Sequence, residues 1–192
     1  MNENKIGQIY AVCAFLFWGA LAPIYFKQVA SVEPMEVLIH RIIWSLIILI
    51  PLLFITKQIN VLKLLIQDYR KLKYLALSTI FISLNWLVFI WAVANNKIME
   101  TALGYYINPL ISILLGYLFF SERMTKNQYI AIFVATIAVL YQVISLGELP
   151  IISLALAFSF GLYGLVRKKV AIASIPGLFV ETIVILPFAL AY

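Results

Sequence analysis

The sequence predicts an all-α membrane protein that crosses the bilayer several times. Of its 192 residues, 65% are hydrophobic and only 11% are charged, whereas a soluble domain carries about 25% charged residues. So few polar groups cannot cover the surface of a water-soluble fold of this size. The apolar residues also fall into separate runs, most of them close to the ~20 residues that a helix needs to cross a bilayer. These two observations predict a polytopic helical membrane protein with about seven spans.

Seven runs are the predicted spans, and lipid favours helices for all of them. In chain order they cover residues 6–26, 35–55, 72–94, 101–120, 129–145, 150–166 and 175–192. Barrel-strand alternation is absent, and lipid offers no partner to an open sheet edge, so each run is predicted to be helical. The first run carries Trp18 and Pro23 and is 21 residues long, which favours a span over a cleaved signal peptide.

The Lys and Arg residues are divided unevenly between the two ends of the predicted spans. Ten of the 14 lie before the first run or after the second, fourth and sixth runs, and Lys73 lies on the same side at the start of the third run. Two lie after the first and third runs, and Arg41 lies inside the second. Because cytoplasmic connections are rich in these residues, we expect a multi-pass protein of the cell (inner) membrane with a cytoplasmic N-terminus. The net charge of +6 then reflects topology, and no nucleic-acid partner is expected.

The longest connection, residues 56–72, has two interpretations. Val61, Leu62, Leu65, Ile66 and Tyr69 would share one stripe of a helix. Such a helix would lie in the cytoplasmic interface and bind anionic lipid. The alternative is a solvated loop with incidental apolar residues.

The start of the sixth run repeats features of the first. Ala-Phe-Leu-Phe at 14–17 corresponds to Ala-Phe-Ser-Phe at 157–160, and His-Arg at 40–41 corresponds to Glu-Thr at 181–182. If the unit has five helices, an odd number, the second copy enters from the opposite face, which gives inverted repeats as in many secondary transporters. We therefore expect residues 1–145 to form a first five-helix unit, and residues 150–192 to begin a second, truncated one.

Four short motifs combine polar and aromatic residues within or beside the predicted spans. They are Leu-Ile-His-Arg-Ile-Ile-Trp-Ser at 38–45, Ile-Ser-Leu-Asn-Trp at 82–86, Leu-Gly-Tyr-Tyr-Ile-Asn-Pro-Leu at 103–110 and Ser-Glu-Arg-Met-Thr-Lys-Asn-Gln at 121–128. These motifs resemble the EamA-domain transporters of the drug/metabolite transporter superfamily, in particular the RarD group, whose name is linked to chloramphenicol sensitivity. The resemblance implies a permease of two EamA units and ten helices, of which this chain holds about seven.

Polar side chains at membrane depth are the candidate site residues, because their burial in lipid is costly. At 1.5 Å per residue, Arg41 and Asn108 lie ~10 Å below the outer boundary and Asn85 lies ~13 Å below it. Glu181, on the seventh span, lies ~9 Å from the inner face. We expect His40, Arg41, Asn85 and Asn108 to line the outer half of a central cavity, with Glu181 as its inner acid.

Each of these residues also has a structural interpretation. Arg41 can extend toward the outer headgroups, and His40 can bond a carboxylate one turn earlier on its helix. Asn85 can join two helices. Asn108 can satisfy the carbonyl that Pro109 leaves free.

Tyr105 and Tyr106 are the remaining candidates for solute binding. They would stack on an aromatic solute, or they belong to the aromatic belt at the interface. Glu181 and Glu100 are the candidates for proton coupling. A Ser112-x-x-x-Gly116 face would pack on a neighbouring helix or on a second copy in a homo-oligomer.

The predicted function is transport of a small metabolite or drug-like solute through the central cavity by alternating access. The alternative is a truncated, transport-inactive membrane module that needs a partner chain. An enzyme is not expected: with one His, one Cys and one Asp (Asp68) in the chain, no zinc motif or paired-Asp metal site can be drawn. The predicted partners are therefore the lipid bilayer and a small solute, and no cofactor is expected.

Overall fold

The computed structural model describes residues 3–147 and 149–192, which form helices joined by short connections. Residues 1 and 2 of the predicted first unit lie outside this part. In order, the helices are α1 Glu3–Leu16, a π-helical turn Phe17–Leu21, α2 Ala22–Gln28, α3 Pro34–Ile55, α4 Ile59–Gln67, α5 Tyr69–Ala94, α6 Ile98–Phe120, α7 Lys126–Leu146, α8 Ile151–Val170 and α9 Ser174–Ala191. Among the described residues, seven helical segments are long and apolar enough to cross a membrane. They confirm the predicted polytopic all-α fold.

Two of the spans are longer than their apolar runs predict. The fifth and sixth runs have 17 residues each, whereas α7 has 21 residues and α8 has 20. Each helix continues into polar sequence, Lys126-Asn127-Gln128 at the start of α7 and Arg167-Lys168-Lys169 at the end of α8. Polar residues at helix ends reach the headgroups at little cost, so the apolar run underestimates the helix.

Contacts near the helix ends fix the relative directions of the helices. Ser153 Oγ donates a 2.7 Å hydrogen bond to the Glu100 carbonyl near the starts of α8 and α6, and Lys168 pairs with Glu122 at their other ends. These two helices therefore run parallel. Tyr192 Oη, just after α9, donates a 2.9 Å hydrogen bond to Glu33, just before α3, so α9 and α3 run antiparallel.

We name the two ends of the bundle after residues in these contacts. The Glu33 end holds the starts of α3, α6 and α8, and the Lys168 end holds the starts of α5 and α9. The most extensive packing in the bundle places α8 against α5 and α6, and α9 against α3 and α5. A hydrophobic cluster around Phe26, Ile42 and Phe89 fills the Glu33 end, and a smaller one around Leu65 and Leu75 fills the Lys168 end.

The connection after α3 is a helix, which decides between the two interpretations of residues 56–72. In α4, Leu65 is buried in the cluster at the Lys168 end and Leu62 packs beside it. On the other side of the predicted stripe Ile66 and Tyr69 are 54% and 70% exposed, and Tyr69 is the first residue of α5. Only the Leu62–Leu65 edge of the stripe packs onto the bundle.

Helix α7 stands at the margin of the bundle. It packs along α6, and none of its described residues is buried. A capping box begins this helix: the Thr125 hydroxyl accepts the Gln128 backbone N–H at 3.4 Å, and the Gln128 side chain accepts the Thr125 N–H at 2.8 Å. In lipid, an apolar helix surface requires no protein cover, so α7 needs few contacts.

Candidate functional site

The Arg41 side chain is directed into the bundle, where aromatic rings from three helices surround it. Its guanidinium carbon lies 4.2 Å from the ring centroid of Trp86 on α5, 5.7 Å from that of Trp18 and 5.9 Å from that of Phe26. Such distances allow cation–π attraction, which strengthens as water is excluded. We call Arg41 with these three rings the arginine cage.

A π-helical turn at Phe17–Leu21 places Trp18 in the cage. Pro23 has no N–H and its ring clashes with the carbonyl four residues earlier, that of Gly19, which disfavours regular α-helical hydrogen bonding at this point. The Ala22 N–H instead bonds to the Phe17 carbonyl, five residues back. Wide turns of this kind often occur at functional sites.

A hydrogen bond joins the cage to a neighbouring cavity. Trp18 Nε1 donates to Tyr105 Oη at 2.6 Å, and the Phe89 ring packs against Trp18, Phe26 and Tyr105. Sequence reasoning included Tyr105 but missed Trp18 and Trp86. The sequence signal that could have found Trp18 is Pro23 inside an apolar span, which indicates a break in the helix beside the tryptophan.

The cavity lies between α5, α6 and α8 and contains three of the predicted residues. Its lining is Asn85, Thr101, Gly104, Tyr105, Asn108, Leu156 and Phe160. Its volume of about 10 Å³ is near the minimum for one water molecule. At Gly104 a Cβ atom would lie 3.1 Å from the Ser153 carbonyl. The small residue therefore lets α6 approach α8 closely.

Asn85 joins two helices and also borders the cavity. Its Nδ2 donates 2.9 Å hydrogen bonds to the Leu156 carbonyl and to Ser159 Oγ, both on α8. Asn108 uses its side-chain oxygen to accept a 3.3 Å hydrogen bond from Ser112 Oγ one turn later. These contacts leave both amides at the edge of a water-sized space between three helices.

A second polar cluster surrounds Glu181 toward the Lys168 end. Glu181 is 2% exposed and its carboxylate accepts hydrogen bonds from Ser78 Oγ at 2.6 Å and from Tyr163 Oη at 3.4 Å. Arg167 Nη1 lies 3.7 Å from the same carboxylate. Three helices, α5, α8 and α9, therefore meet at one buried acid, which we call the Glu181 cluster.

Gly177 makes room for the cation of this cluster. A Cβ atom at Gly177 would overlap the Arg167 guanidinium, which also donates a 3.4 Å hydrogen bond to the Ser174 carbonyl. Sequence reasoning assigned Arg167 to a basic connection and missed it as a site residue. The charge pattern could not reveal that one of three successive cations turns inward.

The structure does not bring His40, Tyr106 or Glu181 to the cavity. His40 is exposed, because it lies about 100° around α3 from the inward-facing Arg41. Tyr106, beside cavity-lining Tyr105, is 62% exposed. Glu181 is held by the partners described above. The predicted residues thus divide among the cage, the cavity, the Glu181 cluster and the outer surface.

Comparison with known proteins places this helical architecture in a family. The model of the EamA-like transporter family matches residues 5–144, most of the chain. The chain belongs to the EamA-like transporter family. This membership confirms the resemblance that the four motifs predicted.

Individual relatives make the chain a RarD-like member of the family. It is 45% identical over 191 residues to Protein RarD of Escherichia coli (strain K12), which covers 100% of this chain and 64% of the relative. It is 42% identical over 196 residues to the uncharacterized transporter YojE of Bacillus subtilis (strain 168), covering 99% and 64%. The chain is also 30% identical over 195 residues to the chloramphenicol-sensitive protein RarD of Pseudomonas aeruginosa, covering 100% and 65%. It thus spans about two-thirds of these relatives' length, and no solved structure matches it.

Proposed function

We propose that this chain forms part of the pathway of a membrane permease that moves a small metabolite or drug-like solute by alternating access. The observation that carries the proposal is the pair of polar contacts between neighbouring helices of the bundle. Asn85 on α5 bonds Ser159 on α8 at one level, and Ser78 on α5 bonds Glu181 on α9 at another. On α5 the two levels are seven residues, or ~10 Å, apart. Buried polar contacts at two depths are what a pathway for a polar solute requires.

In this proposal the structure represents a closed state of the pathway. The cavity at Asn85, Tyr105 and Asn108 has about 10 Å³, so a solute enters only when α6 and α8 separate. The close approach at Gly104 is the contact that would open. His40 and Tyr106, which are exposed here, would meet a solute only if α3 and α6 rotate.

Glu181 is the proposed inner acid and the candidate for proton coupling. Its carboxylate is shared by Ser78, Tyr163 and Arg167. A proton on Glu181 would weaken the pairing with Arg167, and the released guanidinium would loosen the contact between α8 and α9. Proton binding would then favour a different packing of these helices.

The unit boundaries and the orientation belong to the same proposal. Residues 1–145 would form a first five-helix unit, and residues 150–192 would begin a second, inverted one. The Lys and Arg distribution supports a cytoplasmic Lys168 end and N-terminus in the inner membrane, because Lys57, Lys63, Arg70 and Lys126 lie on that side.

Transport can be tested without knowing the solute. Proteoliposomes are incubated with a small-molecule extract of bacterial cells and with chloramphenicol, and mass spectrometry identifies the solutes that accumulate. Asn85→Leu removes the α5–α8 amide contact, and Asn127→Leu is the matched control because Asn127 is exposed. We expect at least one solute to accumulate with the parent and with Asn127→Leu, but not with Asn85→Leu. No accumulation above empty liposomes would contradict transport by this chain and favour a module that needs a partner chain.

A further inference from the structure

Arg41 carries a charge without an ionic partner among the described residues. The ion pairs there are Lys71–Asp68, Lys97–Glu100, Arg167–Glu181 and Lys168–Glu122, and none includes Arg41. Arg41 Nη1 is buried and has no hydrogen-bond partner. A buried cation without a counter-ion is costly, and in a membrane span it marks a functional group by default.

The aromatic rings of the cage do not supply hydrogen-bond acceptors to the Arg41 N–H groups. Cation–π attraction acts on the face of the guanidinium, whereas its five N–H donors point outward in the guanidinium plane. The Trp86 ring centroid lies only 4.2 Å from the guanidinium carbon. The in-plane donors at Nη1 still lack an acceptor, and a planar oxyanion that accepts two parallel hydrogen bonds is the best match to them.

The Glu181 cluster differs from the cage in its charge balance. Glu181 already faces a cation, Arg167, and two hydroxyl donors. The cage has a cation and no acid. A ligand that neutralises the unpaired charge in this bundle therefore carries one negative charge and binds at Arg41.

We infer that the arginine cage is a binding site for an organic anion, in which a carboxylate, sulfonate or phosphate bonds the Arg41 N–H groups and a planar apolar body packs on the rings. This inference rests on the proposed function, since it names the class of solute. The apolar body follows from the partly buried rings of Trp18 and Trp86, which border Arg41, whereas Phe26 is buried in the core; the Trp18 indole N–H is already bonded to Tyr105. The same oxyanion chemistry occurs in a phospholipid headgroup, which is the other source to be distinguished.

Binding is measured on the purified full chain in dodecyl maltoside, a detergent without phosphate. The probes are benzoate and benzenesulfonate, each compared with its neutral isostere, benzamide or benzenesulfonamide. The signal is tryptophan fluorescence, because Trp18 and Trp86 belong to the cage. We expect each anion to bind at least about tenfold more tightly than its amide, since one charge-assisted contact suffices for that ratio.

Variants assign this preference to Arg41. Arg41→Gln should bind anion and amide equally, and Arg41→Lys should retain part of the preference because it keeps the charge without the planar donors. Arg70→Gln, at an exposed cation, should match the parent. Equal binding of anion and amide by the parent, no binding of either anion, or a preference that survives in Arg41→Gln would each overturn the inference.

Two further results distinguish a soluble anion from a phospholipid headgroup, and this inference from the proposed transport function. Native mass spectrometry that finds a phospholipid retained by the parent and lost from Arg41→Gln, together with soluble anions that cannot displace it, would overturn the assignment to a solute. Solute accumulation in proteoliposomes without anion preference would contradict this inference alone. Anion preference without accumulation would contradict the proposed transport and support the site.

Discussion

Arg41 and Glu181 occupy the same position, the eighth, on α3 and α9, two helices that pack antiparallel. Each is therefore buried a similar distance from its own helix start, but the starts lie at opposite ends of the bundle. The cation faces aromatic rings and the acid faces Ser78 and Arg167. In the proposed repeat Glu181 aligns with His40 and Arg41 aligns with Thr182, so the two charges lie one residue apart in the alignment, at opposite depths of the bundle.

Removal of the Glu181 carboxylate should destabilise the bundle strongly. Glu181→Leu leaves Arg167 without its counter-ion, and breaking a buried pair on one side costs about 3–5 kcal/mol. Glu181→Gln keeps an acceptor for the Ser78 hydroxyl and should cost less. The measurement is the free energy of unfolding in mixed micelles, with Glu36→Leu, at an exposed acid, as the control. An unchanged free energy in Glu181→Leu would show that the cluster contributes nothing to stability.

A side chain at Gly177 should force the Arg167 guanidinium out of its place beside Glu181. A Cβ atom there overlaps the guanidinium, so Gly177→Ala should cost about 1–3 kcal/mol, as overpacking usually does. In an Arg167→Ala background the same substitution should cost little, which a double-mutant cycle detects. Gly164→Ala is the control, because no atom lies within 4 Å of a Cβ there. Equal costs in both backgrounds would contradict the proposed contact.

Asp68 should stabilise the start of α5 only when it is ionised. The Lys71 backbone N–H donates to Asp68 Oδ1 at 3.1 Å, and this hydrogen bond holds the pKa of Asp68 below its ordinary value of 3.8. Because the folded-state pKa is depressed, the contribution is complete above that value and is lost as the pH falls through the lower folded pKa. The difference in Tm between the parent and Asp68→Asn should therefore shrink below about pH 4. A difference that is constant from pH 7 to pH 3 would exclude a contribution from the charge.

The two ends of the bundle should react with impermeant reagents from opposite sides. Cys13 is the only cysteine, so Cys13→Ser gives a background for single cysteines. In intact cells, Ser31→Cys at the Glu33 end should be labelled and Lys63→Cys on α4 should not. Inverted vesicles should give the reverse pattern. Labelling of Lys63→Cys in intact cells would contradict the cytoplasmic N-terminus.

Composition and span length were sufficient to predict the fold, but not the details of the site. Seven apolar runs without barrel-strand alternation form helices in lipid, so the spans follow from the sequence alone. The helical structure of α4 remained open, because its apolar stripe also fits a loop. Helix ends were underestimated at α7 and α8, since polar terminal residues look like connections.

Among the residues of the site, the sequence identified the polar ones that interrupt apolar runs. Asn85 and Asn108 stand out in apolar runs, and both lie at the cavity. Trp18 and Trp86 do not stand out in the sequence, because aromatic residues are as common on lipid-facing surfaces as in a binding site. Helix geometry separates His40 from Arg41 by about 100°, but it could not assign the inward direction to one of them, since this requires knowing which side of α3 packs against the bundle.

The central claim is that polar residues on separate helices line a path that water enters when the closed bundle opens. Its most direct test is the reaction of Asn108→Cys with a charged, water-soluble thiosulfonate, in the Cys13→Ser background and in both membrane orientations. Phe133→Cys is the matched control, because Phe133 is 67% exposed on the apolar surface of α7. We predict that Asn108→Cys reacts and is protected by a transported solute, whereas Phe133→Cys does not react. An Asn108→Cys that is as unreactive as Phe133→Cys from both sides would contradict the account.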